Sequence, residues 1–582
     1  MDYICKNNTI MSIRKIFITA IAAGAIVEAA GQTGAGSYHP SWFRTPRMAP
    51  ITEVRTSKTI DVTALGAKPD DGKDDHRAIE RAIEQMMQAK NGVKLYFPKG
   101  RYDITPPSGK ESHCFTVAGC SDFLIMADGA QIVIHDPAKG FLRMQDCRRG
   151  IIKGFGVDYS PLPYTQGVIT MVDQKENIFE VKIDEGYPSP LDGNFAEAPT
   201  RWASVLTDNG GVITLKRGGP NLVPAQSISE GSDKGVFRIK TSAAAANGIA
   251  RGDLYALIAR YNGRPAFSTL RCRQVTLMEN TCYAGPAGGF AIGGSSEIGI
   301  IRCNVLRKPG RYISQNADCV HVTPGAIGPW IEGCVFEGQM DDAINLKTEM
   351  VNIIEARGPD RFLVTGAVEE GDSLSLFNPR EGVLIGRCVV TSAVKEKAGA
   401  EIRVSQKFEG IRAGAKDRQA DMFFNDNRSN ESFVIRGNSF RLSRRYGMLI
   451  QATHGTIDGN TFQSTSTGAI TLQNSASWPE GFVPRNVHIA GNTIIDCGFD
   501  TSYGRETPPA PIIVRTTTVN SGVKASWRGV TGIVIENNVI DSNSAYCISL
   551  SGTSGIVIRN NEMIRKGPQS IFRENSDNVI IE

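Results

Sequence analysis

The chain reads as an all-β right-handed parallel β-helix with an N-terminal capping helix and two inserted small antiparallel β domains of barrel-like size. Three observations predict this. At 582 residues the chain exceeds one simple domain, unless it grows by repetition in one dimension. A motif of two apolar residues, two spacers and an Asn recurs every 22–24 residues, the period of a solenoid rung with a polar corner. Two long stretches break that rhythm without losing strand character.

The motif begins at Thr276-Leu-Met-Glu-Asn280 and Ile300-Ile-Arg-Cys-Asn304. Trp330-Ile-Glu-Gly-Cys334 carries Cys in the Asn slot, and Val434-Ile-Arg-Gly-Asn438 and Thr456-Ile-Asp-Gly-Asn460 follow. The run closes on His488-Ile-Ala-Gly-Asn492, Val534-Ile-Glu-Asn-Asn538 and Val557-Ile-Arg-Asn-Asn561. Stacked Asn side chains can hydrogen-bond along one corner, so these asparagines read as scaffold. The L-x-x-L-x-L framework of leucine-rich repeats is absent.

In chain order, residues 1–31 read as an export leader: Arg14 and Lys15, the apolar run Ile16–Val27, then Ala29-Ala30-Gly31, with Met11 as the natural start. The expectation is export to the periplasm or beyond. Residues 32–164 form the first rungs behind a helix. Asp74 or Asp75 offers its N-cap, and Ala78, Ile79, Ala82, Ile83, Met86 and Met87 give it one apolar face. That helix would cover the open end of the first rung. Residues 165–269 and 348–430 are the two insertions, flanking a core segment 270–347, and 431–582 complete the solenoid.

Composition excludes several partners. A net charge of +4 gives no basis for binding nucleic acid or an anionic membrane. No apolar run reaches the length of a membrane span. The 12 cysteines show neither C-x-x-C pairs nor clustering with histidine, so no metal and no cofactor is called for. Cys303, Cys334, Cys497 and Cys547 lie in apolar runs and read as small buried hydrophobes. A Cys114–Cys120 disulfide is compatible with the spacing.

The chemistry concentrates in Asn316–Lys347. Asp318-Cys-Val-His321 and Asp342-Ala-Ile-Asn345 are one pattern repeated 24 residues apart. The same slot elsewhere reads Gly447-Met-Leu-Ile, Gly468-Ala-Ile-Thr and Tyr546-Cys-Ile-Ser. One rung separates stacked residues by roughly 4.8 Å, so Asp318 and Asp342 are like charges held together at a cost to stability. Asp341 stands beside the second, and a bend at Gly338-Gln-Met would turn it into the same cleft. Three clustered carboxylates suit glycoside hydrolysis, with an acid for the leaving oxygen and a base for water. If the stacked pair shares one water, Asp341 faces it across the scissile bond, a geometry for inversion. His321 and Asn345 occupy matching positions beside the acids.

Asn316-Ala-Asp318 with Asp341-Asp342-Ala-Ile resembles the N-T-D … D-D pattern of family 28 polygalacturonases. The G-H-G and R-I-K segments of that family do not follow it. The chain more closely resembles glycoside hydrolase family 110, the exo-acting α-1,3-galactosidases, through Gly310-Arg311-Tyr-Ile-Ser, Asp318-Cys-Val-His321, Asp341-Asp342-Ala-Ile-Asn345 and Trp478-Pro-Glu480-Gly. That resemblance implies an inverting, metal-free glycosidase removing terminal α-1,3-linked galactose from an oligo- or polysaccharide. It implies Asp341 as general acid, with Asp318 and Asp342 holding the water. It also places His321, Asn345, Lys347, Arg311, Trp478 and Glu480 around the sugar. A polygalacturonase-like hydrolase of acidic polysaccharide and a non-catalytic carbohydrate-binding β-helix are the competing readings. The latter need not tolerate stacked acids.

Overall fold

The computed structural model describes residues 37–582 apart from 110, 261–262, 479, 502–506, 521 and 566–569. The leader and Cys5 therefore lie outside the described residues. Two long ladders of parallel strands and a third of 11 strands wind the chain into a β-helix. The first ladder runs from Lys58–Asp61 through Arg273–Met278 and Trp330–Glu332 to Val530–Glu536. The second runs from His113–Ala118 through Val320–Val322, Ile344–Leu346, Met448–Ile450 and Ile470–Gln473. Side chains alternate inward and outward on each strand, so Phe290, Val320, Ile344, Met448 and Ile470 stack as one buried column. No helix of the described residues is long and apolar enough to cross a membrane.

The expected Asn corner is present. Asn438 donates to Asn460 at 2.9 Å, Asn460 to Asn492 at 3.0 Å, Asn492 to Asn538 at 2.9 Å and Asn538 to Asn561 at 2.8 Å. Each amide also donates to a backbone carbonyl of the preceding rung, as Asn460 does to Ile435 at 3.0 Å. One assignment is corrected. Leu277 pairs with Ile300, so the slot of Asn280 is filled one rung later by Cys303, and Asn304 lies one residue beyond the corner. Cys303 and Cys334 are the two rungs where a thiol replaces the amide.

The helix His76–Ala89 buries Ala78, Ile79, Ala82, Ile83 and Met86 against the first rung. Asp75 is its N-cap but accepts no capping bond. Asp74 instead accepts from the His76 N–H at 3.1 Å. All eleven cysteines of the described region are buried free thiols. Cys114 and Cys120 are among them, so the disulfide compatible with their spacing is not formed.

The chain leaves the solenoid twice, on either side of the second ladder. Between Gly156–Tyr159 and Phe267–Leu270 it builds an eight-stranded antiparallel sheet from Tyr164–Asp173 to Leu254–Arg260, with its own core around Phe179, Val205 and Tyr255. Between Ile344–Leu346 and Val434–Arg436 it closes a six-stranded antiparallel barrel from Val351–Gly358 to Met422–Asn425, packed around Ile353, Phe362 and Leu376. Of the two, only the second closes on itself. The ladder between them becomes the floor of a trough walled on both sides.

Candidate active site

The floor of the trough carries the acids. Val320 pairs with Ile344 and His321 with Asn345, so Asp318 and Asp342 lie over one another on successive rungs. Gly338 takes φ +74°, a left-handed conformation that glycine adopts without penalty. A Cβ there would stand 2.7 Å from the Arg307 side chain. After that bend residues 338–343 leave regular strand geometry, and Asp341 turns inward beside Asp342. Carboxylate oxygens of Asp318, Asp341 and Asp342 lie within 4.8 Å of one another. They line a cavity of about 430 Å³ together with His321, Asn345, Lys347, Trp478 and Glu480.

Each acid has a distinct setting. Asp318 accepts from the Asp342 N–H at 3.1 Å, while its other oxygen lies 2.6 Å from His321 Nδ1. Asp341 sits 3.2 Å from Arg445 Nη1 and 3.5 Å from Arg444 Nη2. Asp342 is 1% exposed and accepts from the Tyr446 N–H at 3.3 Å. Burial, reinforced by the charges of Asp341 and Asp318 and opposed by Arg445, pushes the Asp342 carboxyl well above the usual carboxylate range. Crowding thus leaves one acid of the cluster favouring its protonated form.

The placement of Asp341 differs from the expected one. It does not face the stacked pair across a wide gap. The bend at Gly338 is tight enough to bring all three into one cluster, held from above by the two arginines. The spacing argument for inversion does not survive this arrangement.

Among the other expected residues, Asn345 is buried, and its Oδ1 has no hydrogen-bond partner among the described residues. Lys347 Nζ is 2.5 Å from Glu480 Oε1, and Gln451 donates to the other Glu480 oxygen at 3.3 Å. Glu480 is therefore a fixed wall of the cavity. Trp478 is 54% exposed, with the Arg418 guanidinium 5.3 Å from its ring centre. Arg311 does not join the group. Both its Nη atoms bind Asp158, at 2.8 and 2.9 Å, and Nη1 also donates to the Tyr283 carbonyl at 2.9 Å. It lies outside the ladders and ties the loop 306–313 to Asp158 on the strand Gly156–Tyr159.

Sequence reasoning missed Arg444, Arg445 and Tyr446, and the cause is a slip of one residue. Ile344 pairs with Met448, so Tyr446, not Gly447, fills the slot of Asp342. Arg445 then stacks over Asp341 and Arg444 over Met340. Arg444 is 3% exposed and is gripped from the inserted sheet: its Nη1 donates to Asn221 Oδ1 at 2.6 Å. The Asn221 amide donates to the Arg444 carbonyl and to Ser466 Oγ, both at 2.8 Å. Trp202 and Leu222 of the same sheet line the cavity wall.

Fold and site together define a right-handed parallel β-helix carrying a carboxylate cluster in a walled trough. Residues 422–582 match the family described as right handed beta helix region, and 59–117 match rhamnogalacturonase A/epimerase, pectate lyase-like. Over three quarters of its length the chain is similar to curated α-1,3-galactosidases, as the residue motifs indicated. It is 23% identical to α-1,3-galactosidase B of Akkermansia muciniphila across 75% of this chain and 58% of that protein. It is 20% identical to α-1,3-galactosidase A of Shewanella woodyi across 77% of each chain. The B enzyme of Bacteroides thetaiotaomicron is 23% identical, covering 76% of each. Among solved structures, the family 28 exopolygalacturonase of Yersinia enterocolitica aligns over 92% of this chain and 80% of that one. Its identity is 13% and its TM-score 0.39, too low to bear on the reaction.

Proposed function

We propose that the protein is an exo-acting glycosidase that removes terminal α-1,3-linked galactose from glycans, with Asp318, Asp341 and Asp342 as its catalytic acids. The observation that carries this reading is the convergence of three buried carboxylates in one cavity, one of them pushed towards its protonated form. A site for hydrolysis needs both a proton donor and a base. A carbohydrate-binding module needs neither, and like charges so placed cost stability. The similarity to curated α-1,3-galactosidases supports galactose as the sugar and the α-1,3 bond as the one cut.

In this reading the substrate galactose lies over the cluster. Asp341 passes to the leaving oxygen the proton that the crowded cluster retains, and Asp318, oriented by His321 and the Asp342 N–H, is the base that activates the water held beside Asp342. Asn345 Oδ1 accepts from a sugar hydroxyl, which satisfies its buried lone pairs. Lys347 and Glu480 bind other hydroxyls, and Trp478 stacks on a ring face. A second split of roles is favoured by burial: Asp342 is the carboxyl whose surroundings hold a proton, which makes it a rival general acid. Inversion rests on the family resemblance.

Hydrolysis of a panel containing Gal-α-1,3-Gal, its α-1,4 isomer, a blood-group-B trisaccharide and polygalacturonate tests the whole reading. Release of galactose from the first and third alone is expected. Cleavage of polygalacturonate alone would move the protein to the polysaccharide-hydrolase class. Failure on every member would leave a binding role. Proton NMR of the earliest product should show β-galactose, and an initial α-anomer would overturn inversion.

A further inference from the structure

A second cleft adjoins the cavity over the acids, on the side of the barrel. It encloses about 690 Å³ and shares Lys347, Trp478 and Glu480 with that cavity as a common wall. Its floor is the solenoid, where Leu270, Gly293, Gly294 and Pro324 present small or apolar surface. Its far side is the barrel, which contributes Asn352, Thr365, Gly366 and Arg428. We propose that this cleft binds the neutral oligosaccharide to which the terminal galactose is attached, so that the barrel reads the glycan beyond the bond that is cut. This rests on the glycosidase reading and assigns the leaving-group side of the same substrate.

Four features point to a glycan. The volume falls in the range of about 300–1,000 Å³ typical of ligand sites, room for about two or three sugar rings. An apolar floor with a few polar groups on one wall matches a sugar ring, which has C–H faces and a rim of hydroxyls. The side chains of Glu349 and Asn352 face the cleft without a hydrogen-bond partner among the described residues. Trp478 is a large aromatic left half in water at the boundary of both cavities. Its position is fixed from the barrel: Arg418 packs on the ring and donates to the Ser477 carbonyl at 3.1 Å. A chain crossing that boundary would stack on the indole as it passes from one cavity to the other.

The charges argue for a neutral chain rather than a uronate polymer. Lys347 is paired with Glu480 at 2.5 Å and Arg428 with Glu369 at 3.1 Å. Glu349 adds an unpaired carboxylate. Among the described residues that leaves Arg418, already packed on Trp478, as the single lining cation without a carboxylate partner, too little for a polymer bearing a carboxylate on every ring.

The test compares a short and a long substrate on the full chain. Gal-α-1,3-Gal reaches only the first cavity, whereas Gal-α-1,3-Gal-β-1,4-GlcNAc-β-1,3-Gal-β-1,4-Glc also fills the second. Wild type should show a kcat/KM at least tenfold higher on the pentasaccharide. The double variant Asn352→Ala/Arg428→Ala should lose that advantage and keep its disaccharide rate within about twofold. Gly293→Trp provides an independent block of the floor. A Cβ at Gly293 meets nothing closer than 3.5 Å, so the indole projects into the cleft without displacing the strand. An unchanged pentasaccharide-to-disaccharide ratio in both variants overturns the proposal. Calorimetry with Gal-β-1,4-GlcNAc-β-1,3-Gal-β-1,4-Glc separates this from the catalytic reading, since it needs no turnover. Binding to wild type and its loss in Gly293→Trp support the cleft even if no substrate is hydrolysed. Equal binding by both proteins, or none by wild type, sinks it.

Discussion

Asp341 and Asp342 are neighbours in sequence, yet their isosteric amides should move stability in opposite directions. Asp342 is buried, and its neighbours hold the carboxyl above its ordinary range. In that state the native protein binds a proton that the unfolded chain, with an Asp near pH 3.9, has already released. Stability contributed by this group is present below the unfolded value and is lost as pH rises through the raised one. Asp342→Asn removes the titration, while the amide oxygen still accepts the Tyr446 N–H bond. The variant should therefore match wild type near pH 4 and gain on it as the pH rises towards the raised value. Asp341→Asn behaves otherwise, because Arg444 and Arg445 lie 3.5 and 3.2 Å from the carboxylate. A charge-assisted bond of about 1.5–3 kcal/mol becomes a neutral one of about 0.5–1.5 kcal/mol, so the loss is about 1 kcal/mol near neutral pH. For a chain of this length that corresponds to a fall of about 1 °C in melting temperature. Both variants should lose turnover by roughly 10²–10⁴. Melting curves between pH 4 and 8 decide the matter. If Asp342→Asn is destabilised as much as Asp341→Asn at pH 8, the account of its burial is wrong.

Three further outcomes are expected. On an aryl α-galactoside with a good leaving group, the variant lacking the general acid should recover most of its rate. Comparing Asp341→Asn with Asp342→Asn on such substrates assigns the proton donor, and recovery by neither removes both from that role. Asn221→Ala frees Arg444 from the inserted sheet, and with a bond to a charged group worth about 1.5–3 kcal/mol it should lower kcat by roughly ten- to a hundredfold with little change in KM. A change confined to KM would show that the sheet acts on substrate, not on Asp341. Asn460→Ala removes the acceptor of the backbone N–H and of one side-chain N–H of buried Asn438, whose amide keeps only its bond to the Ile331 carbonyl. At about 1–3 kcal/mol per unsatisfied group, thermal melts should record a loss of several kcal/mol with the acids untouched.

The solenoid was legible because a repeat is read many times over. A single ambiguous rung, such as the one ending in Asn304, does not disturb an Asn corner that six other rungs define. The acids were legible for the opposite reason: they break the repeat, placing charge where equivalent rungs place glycine or tyrosine. The rest of the site was hidden by the 104 residues that separate Asp342 from its neighbour on the next rung, most of them spent on the barrel. Across such a gap the sequence offers two registers one residue apart, and Gly447 looks as natural a partner for Asp342 as Tyr446 does. A shift of one residue exchanges inward for outward positions, so the wrong register sends Arg445 away from the cleft and conceals its contact with Asp341. The same distance in sequence explains why Asn221 left no trace. Its role exists only once an inserted sheet folds back over the ladder it interrupted. Arg311 failed in the reverse sense, since a motif placed it near the acids in sequence while its loop carried its side chain to Asp158. In a β-helix, proximity to the site is decided by the ladder a residue occupies, and an insertion changes the count of residues between rungs without moving the rungs apart. The first insertion therefore reaches the cavity over the acids and the second the cleft beside it, at no cost to the stacking of the acids, which is how a repetitive scaffold acquires a walled site.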